Sequence, residues 1–477
     1  MVSSLFRRKT VDQVLSEAES GGSRLARSLS AFDLTMIGVG AIIGAGIFAL
    51  TGNAAANKAG PAIMISFILS GLGCAFAGLC YAEMAAMIPV AGSAYTYAYA
   101  TLGEILAWLI GWALVLEYAV GAITVAISWS GYLVRFLEKG FDVHLPGEWV
   151  NGYFASWTDA AGIVHSHGIL NVPAIFLVIA VTTLLIVGVK ESARATSAIV
   201  VVKIIAVLLF LAIGAKYVRT ENWTPFMPFG VGGIVAGAGV IFFAYIGFDA
   251  VTTMSEEAKN AQRDLPIGIM ASLVLCTLLY IAVAAVLTGM VPYTRLADPA
   301  PVTLALASVG VKWGVMLVSV GALAGLASVV LVMMMGQPRV FFAMSRDGLL
   351  PSSISKVHPR FQTPYRSTML TGVVVAIFAS TLNAQMAGEM TSMGTLLAFA
   401  LVCIGVMLLR VRDPERRRPF RVPLVWGVAP LGVLICTALV IKLDSFTQKA
   451  VGLWMVLGLA VYLAYGRTHS ALQHKGK

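Results

Sequence analysis

Charged residues are scarce in this sequence. Only 12% of its 477 residues are Asp, Glu, Lys or Arg, whereas 58% are hydrophobic. Soluble domains carry about 25% charged residues. A deficit that extends over the whole chain excludes an ordinary soluble domain and indicates an all-α protein that crosses a membrane several times.

Cysteine and histidine are also sparse. All five cysteines lie in apolar segments without C-x-x-C spacing: Cys74, Cys80, Cys276, Cys403 and Cys436. This pattern disfavours a disulfide framework or a structural zinc site. The six histidines lie in loops or in the tail, and we interpret the H-x-H pair His165 and His167 as solvated loop residues. We therefore expect no metal and no other cofactor.

Motifs of several protein classes are missing as well. The nucleotide-binding pattern G-x-x-x-x-G-K-[ST] does not occur, which disfavours ATP as a partner. No His–Asp or Ser–His cluster lies at a common depth in the apolar segments, so we do not expect an enzyme. The net charge of +10 is spread over alternate loops, which is an orientation signal rather than a nucleic-acid surface.

About twelve apolar stretches approach the roughly 20 residues that a membrane-spanning helix needs. They lie at 32–53, 61–87, 104–134, 169–188, 193–218, 231–255, 267–290, 308–336, 367–384, 391–409, 423–441 and 450–466. Lysine and arginine concentrate in alternate loops, such as 339–366 and 410–421, and in the polar and basic residues 1–30. Because cytoplasmic loops carry the positive excess, we predict a cell-membrane protein with both termini in the cytoplasm and no cleavable signal peptide.

Glycine is abundant where a helix tolerates it least. Residues 38–52 read GVGAIIGAGIFALTG, with five glycines inside the first apolar stretch. Each interior glycine costs a helix about 0.5–1 kcal/mol relative to alanine. An interrupted helix also frees N–H and C=O groups that lipid cannot satisfy. We therefore predict a break around 44–46 whose free groups face protein, water or a ligand.

A second break is predicted five spans later, where residues 240–251 read VIFFAYIGFDAV. Two interrupted helices at corresponding places in two five-span halves are typical of a transporter built from inverted repeats. One half-helix end offers N–H groups to an anion and the opposing end offers carbonyls to a cation. A zwitterionic amino acid carries both charges, so the pattern favours such a ligand.

Other small-residue positions have a simpler interpretation. Four glycines are typical of close contacts between neighbouring membrane helices: Gly71, Gly73, Gly321 and Gly325. Packing alone does not account for 44–46, because three small residues in a row exceed what one helix contact needs.

Several motifs together resemble one known family. GAIIGAGIF and FFAYIGFDA at the two predicted breaks look like the amino acid–polyamine–organocation superfamily. GVKESA at 188–193, EEAKNAQRDLPIGI at 256–269 and GQPR…FAMSRDGLLP at 336–351 are similar to its cationic amino acid transporter family. The resemblance runs from about residue 30 to the last span.

The resemblance implies a LeuT-type fold of about twelve transmembrane helices, in which two five-helix inverted repeats precede two further helices. Its segments in this chain would be a cytoplasmic segment, a transporter domain at 31–466 and a cytoplasmic tail. The cytoplasmic segment would be 1–30 and the tail 467–477. Within the transporter domain, the first repeat would be 31–220, the second 231–410, and the two additional helices 423–466.

The resemblance also implies a substrate site at the breaks. The substrate carboxylate would lie on the amides of Ala45, Gly46 and Ile47, next to Gly44. Its ammonium group would meet backbone carbonyls around Ala244. The carbonyls that match those of the family belong to Ile42, Phe243 and Ile246. Phe243 matches an aromatic gate, although it could equally be core. Many relatives have serine or threonine in place of Ala45, so here that wall of the site would rest on the backbone alone.

Lys190 is the residue that the resemblance assigns to proton coupling. The matching lysine of the family takes the place of a sodium ion found in sodium-coupled relatives. Its amine would meet the carbonyls of Gly40 and Ile43 and the hydroxyl of Ser328. The alternative is that Lys190 is an anchor at the membrane interface, because it lies near a cytoplasmic loop.

Further ionisable residues fall within the predicted spans, where such groups are functional candidates by default. Glu117 and Asp249 would attract a cationic substrate side chain, relay a proton, or pair with another interior polar group. Glu83 and Lys203 we interpret as structural charges that reach a membrane interface.

Three more residues are weaker candidates for lining the site, and packing explains them at least as well: Ala113, Phe399 and Cys403.

Together these patterns predict a secondary transporter that takes up cationic or small neutral L-amino acids with protons by alternating access. Its partners would be the amino acid, protons and the lipid bilayer. An amino acid exchanger and a sensor that binds without transport are the alternatives.

Overall fold

The computed structural model is almost entirely helical. It describes residues 8–14, 29–90, 93–158, 163–187, 193–354, 356, 358 and 363–474. Seven helical stretches in this part of the chain have the length and apolar character to cross a membrane, and three shorter apolar helices accompany them. The first of the seven, Ala31–Met87, contains two of the predicted spans. The all-α, multi-pass fold predicted from the sequence is confirmed.

Each predicted apolar stretch coincides with a helix. We number these helices in chain order: α1 Ala31–Ile42, α2 Ile63–Met87, α3 Glu104–Phe141, α4 Val172–Val187, α5 Ala193–Gly214, α6 Gly230–Ile241, α7 Ala261–Met290, α8 Lys312–Arg346, α9 Tyr365–Thr381, α10 Ala384–Arg412, α11 Val425–Lys442 and α12 Ser445–Val461. Two of them are interrupted: α1 resumes at 46–59, and α6 resumes at Ala250–Thr253 after the turn Phe242–Tyr245.

Three short elements in the loops were not predicted from the sequence. Helix Ser93–Thr101 precedes α3, helix Pro301–Ser308 precedes α8, and a small antiparallel hairpin pairs Trp157–Thr158 with Val164–His165. Helix Pro301–Ser308 begins with proline, whose missing N–H costs nothing at that position. All of these segments are too short for a search for membrane spans to detect.

The interrupted helices lie at the centre of the helix bundle. All residues from 38 to 52 are buried, and so are those from 237 to 249. In contrast, outward faces of α4, α9 and α11 expose large apolar side chains, such as Phe176 (66%), Val373 (53%) and Leu434 (64%). Apolar groups on the outside and small residues inside are typical of helices that contact lipid with one face.

Glu83 lies at the end of α2 in a cluster of ion pairs. Two nitrogen atoms of Arg410 donate to its carboxylate at 2.6 and 2.9 Å, and the backbone N–H of Val422 donates at 2.7 Å. Arg418 lies 3.3 Å away. This pairing ties α2 to the arginine-rich loop between α10 and α11, as expected for a structural charge.

Candidate functional site

The first predicted break is present between α1 and the segment 46–59. Helix α1 ends at Ile42, and Ile43 leaves the helical conformation with φ −70° and ψ 101°. A new helical segment begins at Gly46. The first amides of a helix have no acceptor within it, so Gly46 and Ile47 present N–H groups and positive dipole at the break.

The second break follows α6. The chain tightens into a 3₁₀ turn at Phe242–Tyr245, and Ile246 then becomes extended with ψ 135°. Gly247 has φ +119°, a conformation that residues with a side chain rarely adopt. The helix resumes at Ala250. Gly247 is therefore the residue whose conformation permits the helix to be interrupted here.

The two breaks touch each other. A Cβ atom on Gly46 would lie 2.2 Å from the Cα atom of Ala244. A Cβ atom on Gly247 would lie 2.9 Å from the carbonyl carbon of Ala41. Both distances are too short for any side chain, so glycine is required at both crossings. The structure thus brings together the two groups of predicted site residues, 42–47 and 243–246.

Tyr280 of α7 joins the two breaks, and the sequence analysis did not identify it. Its hydroxyl oxygen lies 2.8 Å from the carbonyl oxygen of Ile42 and 3.0 Å from that of Ala244. The single hydroxyl proton is directed at these two carbonyls, one at the end of α1 and one in the turn Phe242–Tyr245. The available signal was a phenol in the middle of an apolar span, because a buried hydroxyl normally has a partner.

Lys203 of α5 places an amine beside the first break. Its Nζ atom donates to the carbonyl oxygen of Gly40 at 2.6 Å, and the residue is only 1% exposed. The interpretation of Lys203 as a charge that reaches the interface is therefore wrong. Lys190 lies outside the described residues. The hydroxyl of Ser328 donates to the carbonyl of Gly325 at 2.8 Å.

The sequence did contain a signal that Lys203 is buried, namely its position well inside a predicted span. It lies ten residues inside the predicted span 193–218, where an amine cannot reach water by extending its side chain. A buried ammonium group needs acceptors, and the carbonyl at the end of α1 is one. The thiol of Cys276 on α7 is also close enough to interact with the amine.

Glu117 of α3 and Asp249 at the second break form a buried acidic pair. They are 2% and 3% exposed, and their carboxylates are close enough to interact electrostatically. The side chain of Thr395 on α10 is close enough to interact with Glu117, and its hydroxyl donates to the carbonyl of Thr391 at 3.1 Å. Two close carboxylates do not both ionise readily in a buried site. The pair is therefore suited to share a proton or to bind a cationic group.

A tyrosine next to this pair has an unused hydroxyl. Tyr81 is fully buried and interacts electrostatically with both carboxylates. Its hydroxyl has no hydrogen-bond partner among the described residues. Buried polar groups are normally paired, so this hydroxyl is a donor available to a polar ligand.

An aromatic layer lies between the breaks and α10. Phe399 packs edge-on against Tyr81 and Phe242, with ring centroids 5.2 and 5.7 Å apart, and tilted against Phe248 at 4.9 Å. Phe243, the predicted gate, is 5% exposed. This layer surrounds the breaks with apolar surface.

Cys403 faces a different neighbourhood. Its sulfur lies 3.0 Å from where a Cβ atom on Gly432 of α11 would be, and its side chain contacts Cys80 of α2. These contacts favour the packing interpretation of Cys403. They place its side chain between α2 and α11 rather than on the surface of either break.

The sequence is similar to those of known transporters. A family model described as amino acid permease matches residues 29–461. The chain is 46% identical to a methylthioribose transporter and 45% identical to the branched-chain amino acid permease BcaP, both from Bacillus subtilis (strain 168). Each match covers 99% of this chain and 100% of the relative. A vacuolar cationic amino acid transporter 4 from Arabidopsis thaliana is 40% identical over 87% of this chain and 68% of its own length.

Proposed function

This chain belongs to the amino acid permease family, and we propose that it is a secondary transporter that takes up L-amino acids together with protons by alternating access. The observation that carries the proposal is the direct contact between two interrupted helices, with a buried amine on the carbonyl of one of them. The relatives are named as transporters or permeases, which supports transport rather than an enzymatic activity.

The amino acid backbone would bind where the two breaks meet. The amides of Ala45, Gly46 and Ile47 lie at the positive end of a helical segment, which stabilises a carboxylate. The carbonyls that end the opposing segments, including those of Ile42 and Phe243, would accept hydrogen bonds from the ammonium group. Donors and acceptors at one junction match the carboxylate and the ammonium group of an amino acid backbone.

Proton coupling would depend on Lys203. When protonated, its amine holds the end of α1 through the carbonyl of Gly40. When the proton leaves, the amine becomes neutral. Its hydrogen bond to the carbonyl of Gly40 is then no longer charge-assisted and weakens. Loss of the proton would therefore release α1 and favour opening of the site. The family resemblance assigns this role to Lys190, which lies outside the described residues.

The substrate side chain is a separate question. The acidic pair Glu117 and Asp249 favours a cationic side chain, because a positive group would relieve the repulsion between the carboxylates. The aromatic layer around Phe399 favours an apolar one. We propose cationic or small neutral L-amino acids as the substrate class. Methylthioribose is a second candidate, supported by the name of the relative that is 46% identical.

We also propose that the chain resides in the cell membrane with both termini in the cytoplasm. The positive charges of residues 410–421 and 339–366 support this orientation. The two five-helix repeats would comprise residues 31–220 and 231–410, with α11 and α12 outside them.

Reconstitution in liposomes tests the proposal. A thermal-shift screen of the purified protein against arginine, lysine, alanine, serine, leucine and methylthioribose first identifies a ligand. Uptake of that labelled ligand is then measured with an inward proton gradient and without one. Accumulation above equilibrium only with the gradient supports proton-coupled uptake. Uptake only into preloaded liposomes identifies an exchanger, and binding without counterflow identifies a sensor.

A further inference from the structure

The side chain of Lys203 crosses from α5 to α1 over the surface of α8. The atoms of its aliphatic stem lie against Gly325. A Cβ atom at position 325 would lie 2.9 Å from Cγ, 3.1 Å from Cε and 3.3 Å from Cδ of Lys203. Ordinary carbon contacts are about 3.5–4.0 Å. The stem therefore occupies the space that any larger residue at position 325 would need.

A second glycine meets α5 one turn earlier. A Cβ atom at Gly40 would lie 2.3 Å from Cγ2 of Val200. Val200 and Lys203 are three residues apart, so they lie on the same face of α5. Helix α5 is thus held between a glycine of α1 and a glycine of α8, at the level where the amine of Lys203 reaches the carbonyl of Gly40.

We propose that Gly325 is a positioning residue that directs the amine of Lys203 onto the carbonyl of Gly40. This inference rests on the proposed function of Lys203. It assigns a separate role to Gly325, for which the sequence alone predicts only a packing contact between helices. A methyl group at position 325 meets three consecutive carbons of the stem, not only its flexible end. The stem then has to leave α8, and the amine moves away from Gly40.

Gly321 provides a matched control. It lies four residues before Gly325 on the same helix, and a Cβ atom there would lie 2.5 Å from the Cβ atom of Ala206 on α5. Gly321→Ala therefore crowds the contact between α5 and α8 at least as severely as Gly325→Ala does. It does so against Ala206 and not against the stem of Lys203.

The experiment compares Gly325→Ala, Gly321→Ala and Lys203→Ala in proteoliposomes, with the ligand found in the thermal-shift screen. Uptake driven by a proton gradient and counterflow without a gradient are measured for each. We expect Gly325→Ala to lower the gradient-driven component about tenfold, as for loss of a hydrogen bond to a charged group, while counterflow is retained. Gly321→Ala should keep the ratio of the two activities, even if both fall.

A double variant separates positioning from packing. If Gly325 acts through the stem of Lys203, adding Gly325→Ala to Lys203→Ala, which lacks that stem, leaves the counterflow and the melting temperature of Lys203→Ala unchanged. An equal drop of the ratio in Gly325→Ala and Gly321→Ala, or an additive loss in the double variant, overturns the inference. Gradient-driven accumulation by Lys203→Ala at the level of the unmodified protein overturns the proposed function instead. A melting temperature for each variant identifies any that does not fold.

Discussion

The hydroxyl of Tyr280 lies 2.8 Å from the carbonyl oxygen of Ile42, the last residue of α1 before the break. It is also 3.0 Å from the carbonyl oxygen of Ala244, in the second interrupted helix. One side chain of α7 thus links the two interrupted helices, which would move in the proposed alternating-access cycle. Since Ile42 is also a predicted ligand of the substrate ammonium group, the phenol and the substrate would share an acceptor.

Tyr280→Phe removes this link and keeps the aromatic ring. Both carbonyls then lose a donor in a buried place, which costs about 1–3 kcal/mol. We expect counterflow to fall about tenfold or more, because the junction of the two breaks is no longer held together. The measurement is counterflow of labelled substrate in proteoliposomes.

Tyr132→Phe is the control for that variant. The hydroxyl of Tyr132 donates to the carbonyl of Phe48 at 2.7 Å, so its loss also removes a buried bond to the second half of the first interrupted helix. It does not touch the second break. Equal losses in the two variants would contradict a special role of Tyr280.

Two lysines compete for the coupling role, and substitution separates them. We expect Lys203→Ala to abolish accumulation driven by a proton gradient and to retain part of the counterflow, because the carbonyl of Gly40 loses its charged partner. Lys190→Ala is measured in parallel. Loss of accumulation in Lys190→Ala, with normal coupling in Lys203→Ala, would return the role to the residue that the motif GVKESA favours.

Glu117→Gln tests whether the acidic pair selects substrates by the charge of their side chain. The amide keeps the size of the side chain and removes the negative charge. If a cationic side chain binds there, the thermal stabilisation by arginine and lysine falls while that by alanine or leucine is unchanged. Thr395→Val removes a hydroxyl near Glu117 without changing the charge of Glu117, and it should not alter this ratio. A uniform loss for all ligands would exclude a role in charge selection.

The N-terminal segment carries two ion pairs that differ in burial. The Nζ atom of Lys9 lies 2.8 Å from the carboxylate of Asp347 after α8, and both side chains are below 10% exposed. The hydroxyl of Tyr95 donates to the same carboxylate at 2.7 Å. Breaking a buried pair leaves an unpaired charge and costs about 3–5 kcal/mol. We therefore expect Lys9→Ala to lower the melting temperature clearly.

Asp12→Asn is the control for the N-terminal segment. Asp12 pairs with Arg416 at 3.0 Å, but its side chain is 77% exposed. Exposed pairs contribute about 0–1 kcal/mol, so its loss should leave the melting temperature nearly unchanged. A small effect of both substitutions would show that the segment around Lys9 does not stabilise the fold.

Much of the architecture could be predicted because it depends on local properties. Twenty apolar residues in a row form a membrane helix whatever surrounds them, so the predicted stretches coincide with α1–α12. The breaks at 43–45 and 246–249 were also detectable. Closely spaced glycines weaken the first helix, and Gly247 with Asp249 interrupts an apolar run in the second. Helix Ser93–Thr101 escaped detection, since its sequence is neither long nor apolar enough to stand out.

The choice of individual partners was not determined by local sequence. Several lysines and tyrosines satisfy the same pattern of a polar group in or near an apolar span. The contact of Lys203 with Gly40 joins residues 163 positions apart, and that of Tyr280 with Ile42 joins residues 238 positions apart. Such contacts depend on how the helices cross. They are visible only when the helices are packed.

The sequence by itself determined that this chain is a multi-pass helical protein with two interrupted helices, because composition and glycine content act within each segment. Only the tertiary structure decided that the breaks touch at Gly46 and Gly247, that Tyr280 links them, and that Lys203 donates to the carbonyl of Gly40. The physical reason is that a buried donor takes the nearest acceptor in space. Distance in space between segments is a property of their packing and not of either segment alone.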